Sequence, residues 1–189
     1  MNGLTIGIDE VGRGCLAGPM VIGLVSLSTP INGLKDSKLL SKKKRQSLYG
    51  EIFLMADIAL LAWVWPHEID ELGLTLSMTL AIKRGLAQMS SQPTDIIIDG
   101  NTNYLPDNPA ARTVIGADKT IPQVSAASII AKVARDNYME MLNDYLPEYD
   151  FASNVGYGTK NHLQAIKLKG PSTIHRLSFA PMNSYLEKN

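Results

Sequence analysis

Two carboxylates stand side by side at Asp9 and Glu10, at the end of the apolar run Leu4-Thr5-Ile6-Gly7-Ile8 and just before Gly12-Arg13-Gly14. Adjacent carboxylates repel each other. Near a low-dielectric core they need a compensating positive charge, most simply a divalent cation. The bland alternative is a surface turn with solvated acids. Two more apolar runs lead into carboxylates. Ile96-Ile97-Ile98 ends in Asp99 followed by Gly100, and Thr113-Val114-Ile115 runs through Gly116-Ala117 to Asp118. If these runs are neighbouring strands, Asp9, Glu10, Asp99 and Asp118 converge on one edge of a sheet. All-oxygen donor sets select hard cations, Mg2+ or Mn2+, over zinc. Two such ions about 4 Å apart can activate a water and stabilise the leaving oxygen in phosphodiester cleavage.

Glycosidases also use paired carboxylates. Charge distribution favours a polyanion instead. The formal net charge is zero, yet Lys35, Lys38, Lys42, Lys43, Lys44 and Arg45 run together against Asp36. A second basic segment, Lys160, Lys167, Lys169, Arg176 and Lys188, faces one acid, Glu187. Two basic walls around an acidic centre suit a polyanion groove. A solvated helix start explains the lysine run equally well. The Gly-x-x-x-x-Gly-Lys-Ser/Thr loop of P-loop phosphotransferases is absent, and the three histidines match no nucleophile motif.

The elements that must position these acids follow from periodicity. Met20 to Ser28 reads as a second strand, returning antiparallel to the first after Gly18-Pro19. Ser41 opens a helix through Met55, and Ile58 to Trp65 is a third strand. Glu68 to Met89 is a long helix with Gly73 as a weak point. Asp95 to Asp99 is wholly apolar between its acids, as in a strand covered on both faces. Thr113 to Ile115 is a fifth strand. Ser125 to Leu146 is a second long helix whose small residues permit close packing on the sheet; Lys132 and Asp136, four apart, would pair on its surface. Lys160 to Lys169 is a short helix ending at Gly170-Pro171, and Ser172-Thr173-Ile174-His175-Arg176 places a basic pair near a further helix start. The expectation is one α/β domain over residues 1–189 with a mixed five-stranded sheet.

The chain has 189 residues and is 45% hydrophobic, enough for one domain with a sizeable core. The lone Cys15 permits no intramolecular disulfide, which fits a reducing compartment. The N-terminus shows no secretory pattern, and no run approaches the roughly 18 apolar residues of a membrane span. A cytoplasmic monomer that contacts no membrane is expected.

Taken together, the motifs resemble bacterial ribonuclease HII, the type 2 ribonuclease H family. The carriers are Gly7-Ile8-Asp9-Glu10-Val11-Gly12-Arg13-Gly14, Asp36-Ser37-Lys38, Ile98-Asp99-Gly100-Asn101, the run from Ser125 to Asp136, Gly156-Tyr157-Gly158-Thr159, and Gly170-Pro171-Ser172-Thr173-Ile174-His175-Arg176. The resemblance implies a ribonuclease H-like fold with a helical extension over about 150–189 that contributes to substrate binding. It implies endonucleolytic cleavage of RNA in RNA–DNA hybrids and at single ribonucleotides in duplex DNA. The cut would fall 5′ to the ribonucleotide, leaving 3′-hydroxyl and 5′-phosphate ends. Asp9, Glu10, Asp99 and Asp118 match the family's four metal-binding acids, with Asp136 as a rival for the fourth position. Gly12, Arg13 and Gly14 match a loop that reads the 2′-hydroxyl through backbone groups, and Tyr157 a tyrosine that packs on the sugar. The 2′-hydroxyl is what separates RNA from DNA at a given position. Lys38, Lys160 and Arg176 would contact phosphates, and His175 would either support the site residues from behind or be structural.

Val11 stands where many relatives carry alanine. The added N-terminal domain usual in the type HIII branch is not expected here, nor is a sliding-clamp peptide in Met182 to Asn189. Two competing readings are a ribonuclease H-like nuclease directed at branched DNA, which has no use for a 2′-hydroxyl reader, and a hybrid-binding module without catalysis, which gains nothing from four acids facing phosphates.

Overall fold

A computed structural model describes residues 3–34 and 37–184, apart from the side chain of Lys38. Lys35, Asp36 and the tail 185–189 lie outside the described residues. Five strands form one sheet: β1 (Thr5–Val11), β2 (Met20–Ser26), β3 (Ile58–Val64), β4 (Asp95–Asp99) and β5 (Ala111–Val114). Their order is β3-β2-β1-β4-β5. β1 pairs antiparallel with β2 and parallel with β4, and β4 runs parallel to β5. The C-terminal ends of β1, β4 and β5 therefore share one edge of the sheet, where open α/β sheets place ligands. The mixed five-stranded sheet expected from the sequence is present.

Helices cover both faces: α1 (Lys42–Met55), α2 (Pro66–Leu86), α3 (Pro122–Asn143), the single turn α4 (Phe151–Asn154) and α5 (Lys160–Lys169). Ser41 caps α1, its hydroxyl accepting from the Lys44 N–H at 3.3 Å. α2 breaks its helical geometry at Gly73 (φ 73°), the weak point read from the sequence. Ile69, Met78, Ala81 and Ile82 of α2 pack with Ile6, Ile8, Ile22, Leu24, Ile96 and Ile98 on one face of the sheet. Val25, Leu48, Ile52, Ala126, Ile129, Ile130 and Val133 form the core on the other face.

α3 lies directly against the backbone of the two strands beneath it. A Cβ on Gly7 would stand 2.4 Å from the Val124 nitrogen, and one on Gly23 would stand 2.2 Å from the Ala127 carbonyl oxygen. The small residues of the Ser125–Ala131 run make the same approach from the helix side.

Element ends differ from expectation by a few residues. β5 covers Ala111–Val114 rather than Thr113–Ile115, and Ile115 is left exposed. α3 begins at Pro122, whose missing N–H suits the first turn of a helix. The basic pair at His175-Arg176 is a larger departure. It opens no helix. His175 bridges antiparallel to Ala17, and the Arg176 N–H donates to the Leu16 carbonyl at 2.8 Å. The C-terminal segment closes over a core of its own, with Leu16, Met139, Tyr149, Phe151, Ile166 and Met182 buried together. It is tied to α2 by Asp70, which accepts from the Leu177 and Ser178 N–H groups at 2.8 and 3.0 Å.

Candidate active site

Asp9, Glu10, Asp99 and Asp118 line a single cleft of about 270 Å³, together with residues 11–14, Ser37, Ser128, Lys132 and Tyr157. Asp9 and Glu10 lie near the end of β1, and neighbouring residues of a strand point to opposite faces. Asp9 faces α3, as Gly7 does two residues earlier. Its carboxyl accepts the Glu10 N–H at 2.8 Å and a hydrogen bond from the Ser128 hydroxyl. Ser128 in turn meets Ser37 Oγ at 3.0 Å.

Asp99 ends β4, and its Oδ1 accepts the Ala117 N–H at 2.8 Å. That bond ties β4 to the 3-10 turn Ala117–Lys119 that carries Asp118. The turn is entered through Gly116 in left-handed geometry (φ 67°). Ser125 of α3 donates to the Asp118 carbonyl. Asp136, the rival for the fourth acid, accepts from Lys132 Nζ at 2.9 Å and is not among the cleft-lining residues.

The electrostatics are those of crowded acids with too little cationic balance. Asp9 is 8% exposed, and burial pushes its carboxyl up to about 8, with Glu10 and Asp99 adding repulsion. Burial also raises Glu10, opposed mainly by Arg13, whose Nη1 lies 3.7 Å away. Arg13 is exposed, so this pair is screened and weak. Among the described residues, the other cation lining the cleft is Lys132, which is bonded to Asp136. Among the described residues, no three His, Cys, Asp or Glu side chains are already gathered closely enough to hold a metal ion. The donor chemistry nonetheless fits one: four carboxylates, no sulfur, no imidazole, and buried negative charge that a hard divalent cation would relieve.

The rim carries the glycine loop and Tyr157. Gly12 is buried at φ 82°, and a Cβ there would stand 2.1 Å from Arg135 Nε. Gly14 faces open space, so its backbone can be approached closely. Arg135 beneath the loop is fully buried and donates to the carbonyls of Pro19, Val155 and Ala17 at 2.8, 2.8 and 3.0 Å. Tyr157 is 41% exposed. Its phenol is pushed up to about 12, chiefly by burial, so it stays neutral.

Arg176 overturns the expectation of a phosphate contact. It is fully buried, and its guanidinium donates twice to the Gly18 carbonyl, at 3.0 and 2.8 Å, and once to the Arg13 carbonyl at 2.9 Å. It shapes the glycine loop from behind. Burial lowers it to about 10, still cationic at neutral pH. Lys160 is exposed at the first turn of α5, outside the cleft. The backbone of Lys38 lies in the 3-10 turn Ser37–Leu39.

Lys132 corrects a second expectation. Its pairing with Asp136 was foreseen, but the two side chains are only 20% and 16% exposed and Lys132 lines the cleft. Ser37 and Ser128 were not foreseen either. A signal existed: Ser125, Ser128, Lys132 and Arg135 are spaced three, four and three residues apart, a polar stripe in the otherwise apolar run 124–135.

An acid-lined cleft at the C-terminal edge of a mixed five-stranded sheet, with helices on both faces, defines a hydrolase of the ribonuclease H-like fold. A family model described as Ribonuclease HII matches residues 6–182. The Ribonuclease HII of Shewanella loihica is 43% identical over 190 residues, covering 98% of this chain and 91% of that protein. Ribonuclease H2 from Pyrococcus horikoshii superposes with a TM-score of 0.81 at 27% identity, covering 98% of each chain. Bst-RNase HIII, solved in complex with Mn2+, shares the fold at a TM-score of 0.74 and 21% identity, covering 98% of this chain and 70% of that one. The chain belongs to the ribonuclease HII family, endoribonucleases acting on the RNA of RNA–DNA hybrids. Among the described residues, no helix is long and apolar enough to cross a membrane.

Proposed function

We propose that this chain cuts 5′ to ribonucleotides, in hybrids and singly embedded in duplex DNA, with Asp9, Glu10, Asp99 and Asp118 as its catalytic carboxylates. The observation that carries this reading is the meeting of four acids, from the ends of β1 and β4 and the 3-10 turn after β5, in one cleft whose rim is the Gly12-Arg13-Gly14 loop and Tyr157. The four carboxylates would hold two Mg2+ or Mn2+ ions. Bound there, such ions supply an activated water and charge stabilisation at the leaving oxygen.

The chain's own residues supply position and discrimination. Backbone groups of Gly12 to Gly14 lie where a ribose 2′-hydroxyl can approach without meeting a side chain at Gly14. Tyr157 offers an exposed ring face to the sugar and a neutral hydroxyl. Arg13 places a cation beside Glu10 and the scissile phosphate. Lys38 and Lys160 add phosphate contacts further along the duplex, giving affinity that falls with salt. Residues 150–184 contribute by carrying Tyr157 and Lys160. The protein acts in the cytoplasm as a monomer.

The test uses a DNA duplex carrying one ribonucleotide, with Mg2+ or Mn2+, comparing the parent, Asp99→Asn and an all-DNA control. A cut 5′ to the ribonucleotide by the parent alone is expected. A folded parent that leaves this duplex intact with either metal refutes the reading.

A further inference from the structure

Two buried histidines stand nose to nose behind Tyr157. His162 of α5 and His175 of the C-terminal segment are 0% and 2% exposed, with Nε2 atoms 3.0 Å apart. Each outer nitrogen meets one backbone group whose role is fixed. His162 Nδ1 lies 2.9 Å from the Tyr157 carbonyl oxygen, which can only accept. His175 Nδ1 lies 2.9 Å from the Ser172 backbone N–H, which can only donate, and 2.8 Å from the Ser172 hydroxyl, which can donate to the same bare nitrogen. His162 therefore carries its proton on Nδ1 and has a bare Nε2. His175 has a bare Nδ1 and carries its proton on Nε2. The central contact then works in one direction, His175 Nε2–H donating to His162 Nε2. Each end dictates the same middle. A second proton on either ring would set two N–H groups against each other.

Their surroundings keep both rings neutral. Tyr149 and Phe151 pack against them, with ring centres 4.8 Å from His175 and 5.4 Å from His162. Burial lowers His162, and lowers His175 to about 4. The chain of bonds joins two segments that meet at the cleft. At one end is the Tyr157 carbonyl. At the other is the segment whose His175 bridges Ala17 and whose Arg176 holds the Arg13 and Gly18 carbonyls.

We propose that His162 and His175 are a positioning pair, a one-way hydrogen-bond relay that sets Tyr157 at a fixed distance from the Gly12-Arg13-Gly14 loop and so aims its ring at the substrate sugar. This rests on the reading of Tyr157 as a substrate residue. The pair touches no substrate and takes no part in bond breaking.

The relay makes a prediction that packing alone does not. An asparagine amide falls near the Nδ1 position of histidine, and a glutamine amide near Nε2. At position 162, His162→Asn keeps the donor to Tyr157 and should hold KM for a one-ribonucleotide duplex within about twofold. His162→Gln loses that donor and should raise KM about tenfold with kcat little changed, the scale of one lost hydrogen bond. At position 175 the order reverses, because His175→Gln keeps the donor to His162 and His175→Asn does not. A packing role favours the larger glutamine at both positions. Glutamine better at both, or parent-like KM in all four, overturns the proposal. Tyr157→Ala runs alongside. If it leaves KM unchanged, the Tyr157 reading fails; if it raises KM while the crossed order is missing, the relay fails. Should the variants not fold, two-bond 1H–15N correlation spectra of the parent decide, with exposed His67 as reference. His162 must show its proton on Nδ1 and His175 on Nε2; any other pairing of tautomers overturns the relay.

Discussion

Gly23→Ala tests the contact that holds the cleft together. Gly23 of β2 is the register partner of Asp9, and α3 crosses directly above it. An added Cβ would stand 2.2 Å from the Ala127 carbonyl oxygen and 2.8 Å from its carbon. Both atoms are backbone of the α3 interior, and the Cβ itself would sit on a central strand, so neither side can swing aside. Reaching an ordinary contact of 3.4 Å requires α3 to lift by about 1 Å. Overpacking of this kind costs about 1–3 kcal/mol, or roughly 3–10 °C in Tm for a chain of this length. Activity should fall further than stability. α3 carries Ser128, which bonds Asp9, and Lys132 at the cleft wall. A misplacement near 1 Å can cost on the order of a hundredfold in rate. The assays are calorimetric melting and kcat/KM on a one-ribonucleotide duplex. Gly50→Ala in α1 is the control, because a Cβ there meets nothing within 4 Å; it should stabilise by about 0.5–1 kcal/mol. If Gly23→Ala also stabilises, as glycine replacement does where the native backbone is compatible, the close-approach argument is wrong.

Three further outcomes are expected. With the metal chelated, the folded-state pKa of Asp9 lies above its ordinary 3.8, at about 8, so the folded protein retains a proton that the unfolded chain has lost. That stability is full below about pH 4 and is lost as pH rises toward 8, so the Tm advantage of Asp9→Asn should grow between pH 5 and 8 by the equivalent of about 4 kcal/mol; a pH-independent difference in melting scans would sink this. Arg176→Met should destabilise by about 1–3 kcal/mol for each buried carbonyl left without a donor, measured by urea unfolding, while the salt slope of substrate binding stays unchanged. Lys160→Gln should do the opposite, flattening the plot of log affinity against log salt by about one phosphate contact, read by fluorescence anisotropy in an Asp99→Asn background, with Tm unmoved.

The strands and the acids at their ends were legible because both signals are local. Ile96-Ile97-Ile98 is apolar for burial on two faces, and Asp99 interrupts that run where the sheet meets solvent. The roles proposed for the acids, the loop and Tyr157 come from the resemblance and not from these local signals. Arg176 was misread because residue type argues for exposure, and nothing nearby in the sequence reveals the Gly18 and Arg13 carbonyls that bury it. Those partners lie more than 150 residues away along the chain. The contact between His162 and His175 was illegible for a different reason: only 13 residues separate them, and no local pattern shows that they face each other. His175 reads as an isolated polar residue until α5 brings His162 against it. Lys132 was half legible: spacing foretold its partner Asp136, but not that the helix face carrying both would turn toward the cleft.

The sheet order has a consequence for how the enzyme comes into being. β1 and β4 are neighbours in space, yet β2, β3 and two helices separate them along the chain. Pairings between such distant segments close late in folding. A nascent chain that has emerged through β4 holds three of the four acids, but neither Asp118 nor the helix that seats Asp9. The guanidinium that braces the Arg13 loop arrives only with residue 176, after every strand of the sheet. A half-made chain thus holds neither the complete set of acids nor the braced loop.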